Sequence, residues 1–158
     1  MNWQQVCEHP DLKDLPFKVE LNERGQIIMS PVKVVHSICR GEIEYFLHKL
    51  MKTGKAMPGC AISTRKGTKV ADVAWASPQR LERIRYETEC SVAPEICVEV
   101  LSDSNTDEEI AEKRQLYFEN GAQEVWTCTQ DGDMSFHNSS GKLESSVLVP
   151  GFPKKIEI

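Results

Sequence analysis

No stretch of the chain comes near the roughly 18 consecutive apolar residues that a membrane-spanning helix requires, which argues against an integral helical membrane protein. The opening residues, MNWQQVCEHPDLKD, have neither the basic nor the apolar part of a secretory signal, so a cytoplasmic location is expected. Cysteine occurs at positions 7, 39, 60, 90, 97 and 128, with no CxxC pair and no zinc-ligand spacing. Several of these lie inside apolar runs. The expectation is reduced thiols serving as small hydrophobes, rather than a disulfide framework or a zinc module. No helix-turn-helix pattern, zinc finger or aromatic stacking platform can be identified, so no nucleic-acid specificity is legible.

Acidic residues are also missing locally. None falls between Glu44 and Asp72, where Lys49, Lys52, Lys55, Arg65, Lys66 and Lys69 cluster. From Glu95 to Glu124 the balance reverses. The net charge of −5 disfavours indiscriminate nucleic-acid binding but leaves room for a local basic face. Lysine-solvated helix ends and loops would account for the same run. The arginines of RLERIRY (Arg80, Arg83, Arg85) are interleaved with glutamates and read as a solvated helix.

The 158 residues fit one domain, residues 1–158, with a sizeable core. Phe17–Leu21 and Gln26–Met29, joined by NERG, read as a hairpin, after which Pro31 introduces a helix. Val35, Cys39, Ile43, Phe46, Leu47 and Leu50 recur at helical spacing, and Gly54 ends the pattern. GCAIST (59–64) and VADVAW (70–75) are strands around the turn RKGT. A short helix capped by Ser77 follows. A second strand region, ICVEV (96–100), precedes a helix with a capping box from Thr106 to Glu109 and a stop at Gly121. AQEVWTCTQ and MSFHN form a last hairpin around DGD. The order of elements predicts an α/β (α+β) fold: a mixed central β-sheet flanked by helices.

Two of these strands carry an anomaly. Glu99 interrupts Ile96–Leu101, apolar on both faces, and Asp72 interrupts VADVAW. An unpaired buried carboxylate costs several kcal/mol or protonates (on the order of 2–7 kcal/mol for polar groups generally, more for charges). A loop amide or a partner arginine could relieve either one alone. Two such carboxylates sharing a site would suit a hard divalent cation, whose charge lets both stay ionised. On the helix after Thr106, Ile110, Ala111, Leu116, Tyr117 and Phe118 form an apolar arc opposite Glu108, Glu112, Gln115 and Glu119. Lys113 and Arg114 both fall within that arc, and periodicity does not choose between them. Lys113 either pairs with Glu109 or snorkels to solvent, or it directs an ammonium at the carboxylates.

VADVAW, APEICVEVLSDSN and EKRQLYFENGAQEVW together resemble the Uma-type (DUF820-like) family of restriction-endonuclease-like proteins, within the PD-(D/E)xK nuclease superfamily. The resemblance spans about Phe17 to Trp126 and continues loosely to the terminal PGFP. It is most specific at Glu99-Val100-Leu101-Ser102, Glu112-Lys113-Arg114, Tyr117, Gly121, Glu124 and Trp126. His36 matches a histidine common on the family's first helix, although a histidine on a helix flank is more often structural. The resemblance implies a restriction-endonuclease-like core that binds Mg²⁺ (or Mn²⁺) through Asp72, Glu99 and the carbonyl of Val100, with Lys113 as catalytic lysine. It departs from the superfamily pattern at Leu101, where lysine usually stands, and from the family at Ala71, Ala122 and Val125.

The function implied is a metal-dependent endonuclease hydrolysing phosphodiester bonds of DNA, in duplex form, with no membrane partner. Cutting both strands would favour a homodimer. Two other readings stay open: a non-catalytic nucleic-acid-binding or interaction module that keeps the nuclease fold, and a metal-dependent hydrolase of a small phosphorylated substrate.

Overall fold

In the structure, a computed structural model describing residues 1–158, the chain runs α1 (Trp3–Glu8), β1 (Phe17–Leu21), β2 (Ile27–Pro31), α2 (Val34–Leu50), β3 (Lys55–Thr64) and β4 (Gly67–Ala76). It continues α3 (Pro78–Ile84), β5 (Ile96–Val100), α4 (Asp107–Glu119), β6 (Glu124–Cys128), β7 (Met134–Asn138) and β8 (Gly141–Leu143). The strands β3 to β8 form one six-stranded sheet in sequence order, and β1 and β2 form a separate two-stranded sheet. Only β5 and β6 are parallel. A parallel pair needs a crossover connection rather than a tight turn, and α4 provides it.

The mixed sheet is apolar on both faces. Val73, Trp75, Ile96, Val98 and Val100 pack with Cys39, Ile43 and Leu47 of α2. Trp126, Phe136 and Phe152 join the same cluster, and the Trp126 and Phe152 rings lie 4.5 Å apart. The terminal PGFP segment is therefore part of the core. Ala74, Ala76, Cys97 and Val125 face the other way, onto Leu81 and Ile84 of α3 and Tyr117 of α4. Alternation along β5 thus sends Val98 and Val100 towards α2, and Cys97 and Glu99 towards α4. All six cysteines are free thiols, and every one except Cys7 is buried.

The hairpins, the capped helices and the mixed sheet agree with the sequence reading, which lacked the short β8 and differs in three further places. Pro31 ends β2 opposite Phe17 instead of starting a helix, a position where a residue without an N–H costs the ladder little. The short α1, closed by a capping box between Asn2 and Gln5, has too little apolar periodicity to announce itself. The strands around RKGT are longer than the apolar runs within them, because the pairing continues through residues of mixed polarity and burial from Lys55↔Ala76 to Thr64↔Gly67. The β1–β2 hairpin lies against this turn. Gly67 has φ +90°, and a Cβ there would stand 2.3 Å from the carbonyl oxygens of Leu21 and Asn22. Only glycine admits that approach, which brings β1 alongside β4.

Glu124 shows how a buried acid can serve the fold alone. It is 2% exposed and accepts bonds from Trp126 Nε1 (2.9 Å), Ser146 Oγ (2.7 Å), and the Val147 (3.0 Å) and Leu148 (2.7 Å) amides. Four donors surround two acceptor oxygens, so an amide nitrogen in place of one oxygen would face donors. Glu124→Gln is expected to lower the unfolding free energy by about 1.5–3 kcal/mol, read as a lower urea midpoint at unchanged slope.

Candidate active site

The β4–β5 ladder closes at Val73↔Val98 and goes no further. One step beyond, the antiparallel register sets Asp72 opposite Glu99, and both side chains reach the Lys18 ammonium. The strands part here, and the amide of Val100 donates to Asp72 Oδ2 at 2.7 Å instead of to a strand carbonyl. The N–H and C=O of one strand residue point to the same side, so the Val100 carbonyl also turns towards the opening.

Two ammonium groups meet the carboxylates. Lys113 Nζ lies 3.4 Å from Glu99 Oε1. It is also 2.8 Å from Glu20 Oε2. Of the two cations in the apolar arc, Lys113 is the one that turns inwards, and the alternatives of a Glu109 pair or a solvent-directed stem are not adopted. The second ammonium comes from β1. Lys18 Nζ bridges Asp72 Oδ1 at 3.1 Å and Glu99 Oε2 at 2.9 Å, and its side chain is only 14% exposed. Glu20, two residues along the same strand face, accepts the Val70 amide at 2.7 Å as well as the Lys113 ammonium.

Glu99 is 4% exposed, yet it is fully partnered. The Tyr117 hydroxyl donates to Oε1 at 2.6 Å, complementing the two lysines. Burial alone would raise its carboxyl, but Lys113, Lys18 and the Tyr117 bond more than offset that and hold it down at about 2. Asp72 moves the other way. Burial raises its carboxyl above the ordinary value, and the neighbouring Glu99 charge adds to this, against the opposing pull of Lys18. Burial and the Glu99 charge also push the Tyr117 hydroxyl well above its ordinary range, so it remains a donor. Burial lowers the Lys18 ammonium, but Glu99, Asp72 and Glu20 together leave it raised.

These groups line a cavity of about 420 Å³ whose wall also includes His36, Arg40 and Lys69. His36 reaches back from the first turn of α2, its Nδ1 accepting the Lys33 amide at 2.9 Å. That bond fixes the neutral ring with its proton on Nε2, which is buried without a partner. The basic run does not form one face. Lys49 lies over Tyr45 and Phe46. Arg65 pairs with Glu119 and Lys66 with Glu112. Lys69 alone of these turns to the cavity unpaired, donating to the Leu21 carbonyl at 3.3 Å. Arg80 is no solvated cation either, since it bonds the carbonyls of Ala93 and Gly121.

Asp72, Glu99, Val100 and Lys113 are thus brought together as the sequence suggested. Lys18, Glu20 and the polar role of Tyr117 were missed. FKVEL alternates as any half-buried strand does, and nothing in it separates Lys18 and Glu20 from solvent-facing residues. A buried tyrosine hydroxyl needs a partner, which was the one available signal for Tyr117.

The chain contains no cluster of three or more histidine, cysteine or carboxylate side chains arranged to hold a metal ion. A magnesium ion nevertheless needs only one or two carboxylates, completing its shell with water and substrate oxygens. The Asp72–Glu99 pair meets that need, because a cation, the Lys18 ammonium, already sits between the two.

Across residues 3–145 the chain matches the family profile of Uma2, described as "Putative restriction endonuclease". Among solved structures it is similar to one described as "a putative nuclease belonging to DUF820" from Anabaena variabilis ATCC 29413. The two share 18% identity with a TM-score of 0.65, over 84% of this chain and 78% of the other. At that identity the likeness bears on the fold. Among curated proteins, none matches the chain in sequence.

The carboxylate directions carry a sign. Glu99 falls from an ordinary 4.5 to about 2 on folding, so its contribution to stability is present above about pH 4.5 and is lost as pH falls towards 2. Asp72, raised by folding, opposes this with a contribution lost as pH rises through its shifted value. Glu99→Gln is therefore expected to cost about 3–5 kcal/mol near neutrality and to flatten the fall in stability between pH 4.5 and 2. Urea unfolding of both proteins across that range checks it; parallel profiles would contradict the assigned role.

Proposed function

The chain belongs to the Uma2 family, and from that membership together with the cavity chemistry we propose that it is a Mg²⁺- or Mn²⁺-dependent endonuclease acting on duplex DNA. The observation carrying this reading is the convergence of Asp72, Glu99 and Lys113 on one cavity from two strands and a helix. Asp72 and Glu99 would hold the cation, with the Val100 carbonyl as a further oxygen at the parted ladder. When bound, the cation supplies charge to polarise a phosphoryl oxygen and to lower the pKa of a water.

The chain's own residues then perform the rest. Tyr117 fixes the Glu99 carboxylate through Oε1, leaving Oε2 on the ammonium that it shares with Asp72 Oδ1. Glu20 anchors the Lys113 ammonium, whose remaining N–H bonds can orient a water or a non-bridging phosphate oxygen. Arg40 and Lys69 on the cavity wall supply positive charge for the phosphate backbone. In the reaction the water oxygen bonds to phosphorus, one P–O ester bond breaks, and the departing oxygen takes up a proton. A cavity of about 420 Å³ is also the size of a small-molecule site, which favours hydrolysis of a small phosphodiester as the second reading.

Incubating the protein with duplex DNA and Mn²⁺ or Mg²⁺ is expected to give nicks or breaks that chelator abolishes. Asp72→Asn and Lys113→Met should each slow cleavage by about 10²-fold or more. Turnover of bis(p-nitrophenyl) phosphate without action on DNA would favour the second reading. DNA binding that persists unchanged in Asp72→Asn, with no hydrolysis of any substrate, would overturn both.

A further inference from the structure

The residue that occupies the centre of the carboxylate pair is not one that the nuclease reading uses. Lys18 Nζ sits within 3.1 Å of Asp72 and 2.9 Å of Glu99, between the two groups that would hold a divalent cation. An ammonium at that point and a metal bridging the same two oxygens at roughly 2.0–2.1 Å would compete for one position. Lys18 also lies outside the six-stranded sheet, on a hairpin that reaches the site from β1.

Charge balance points the same way. Glu20, Asp72 and Glu99 contribute three carboxylates, against the ammonium groups of Lys18 and Lys113. The cluster is short by one positive charge. A divalent cation added beside Lys18 would overshoot, whereas a divalent cation in place of Lys18 would balance it. The nearby Lys69 does not alter this, because its ammonium is held 3.3 Å from the Leu21 carbonyl and forms no ion pair with the three acids.

We propose that Lys18 is a built-in competitor for the metal position: a divalent cation enters the Asp72–Glu99 pair only as the Lys18 ammonium leaves it. Lys18 thereby sets the cation affinity of the site, weakening it relative to the carboxylate pair alone. The inference rests on the reading of Asp72 and Glu99 as cation ligands, and not on the identity of the substrate. The β1–β2 hairpin supplies the competitor, so cation affinity is decided by an element outside the sheet that carries the ligands.

Calorimetric titration of Mn²⁺ into the full chain tests this without any substrate. Lys18→Met is expected to bind Mn²⁺ at least tenfold more tightly than wild type, and adding Asp72→Asn to Lys18→Met should remove that binding. The metal-free Lys18→Met protein should melt below wild type, and Mn²⁺ should raise its melting temperature by more than it raises that of wild type. Lys18→Gln, which keeps a hydrogen-bonding group without the charge, repeats the titration should the methionine variant fail to fold. Wild type offers a readout independent of any variant: the ¹⁵Nζ resonance of Lys18, shifted by its ion pairs, should move to the free-lysine position as Mg²⁺ saturates the site. Equal Mn²⁺ affinity in wild type and both Lys18 variants, or an unmoved Lys18 resonance at Mg²⁺ saturation, would overturn the competitor role while leaving the metal site standing. Absence of Mn²⁺ binding in all of these proteins would overturn both the competitor role and the metal reading.

Discussion

A fully buried glutamate at the end of a central strand sets the terms for everything around it. Glu99 is 4% exposed, on a strand whose other residues are all apolar and buried. Leaving such a carboxylate ionised requires nearby positive charge and hydrogen-bond donors, and these come from two other parts of the chain. Tyr117 and Lys113 come from α4, and Lys18 from β1. The crossover helix, the splayed strands and the small outer hairpin therefore have to be in place together for Glu99 to be both buried and charged. The site and the fold are stabilised by the same contacts.

Fold and site were legible to different degrees for physical reasons. Apolar periodicity reported α2, α4 and the strands of the central sheet because each buries a face. The Thr106–Glu109 capping box was readable because it is a local exchange of hydrogen bonds four residues wide. Asp72 and Glu99 stood out as violations of the apolar pattern. Lys113 was an ambiguous member of an apolar arc, and its resemblance to a family lysine chose it over Arg114. Lys18 and Glu20 broke no local rule. Their burial arises from the docking of one hairpin against β4, a contact between segments about fifty residues apart that no local window contains. Glu124 illustrates the converse: it belongs to the same family resemblance as Glu99, in a different motif, but its oxygens are spent on the loop at 146–148 and on Trp126.

The opposite movements of the two carboxylates also have a chemical meaning. Two acids sharing a site seldom titrate alike. Here Glu99 collects most of the donors and stays ionised, while Asp72, with one ammonium and one amide, has less to offset its burial. Asp72 is thus the member of the pair with more to gain from added positive charge, and Glu99 is the fixed point to which the rest is referenced.

The close approach at Gly67 has a consequence for how such a site could change over generations. The hairpin meets the main sheet through the close backbone approach at Gly67 and the polar contacts of Lys18 and Glu20, and none of its residues belongs to the two large core clusters. Substitutions on the outer ribbon can therefore vary the polar groups offered to the cavity while the packed layers beneath remain untouched. The lysine and glutamate at the edge of the cavity are thus carried by an outer ribbon, whereas Asp72 and Glu99 stand on the central sheet itself.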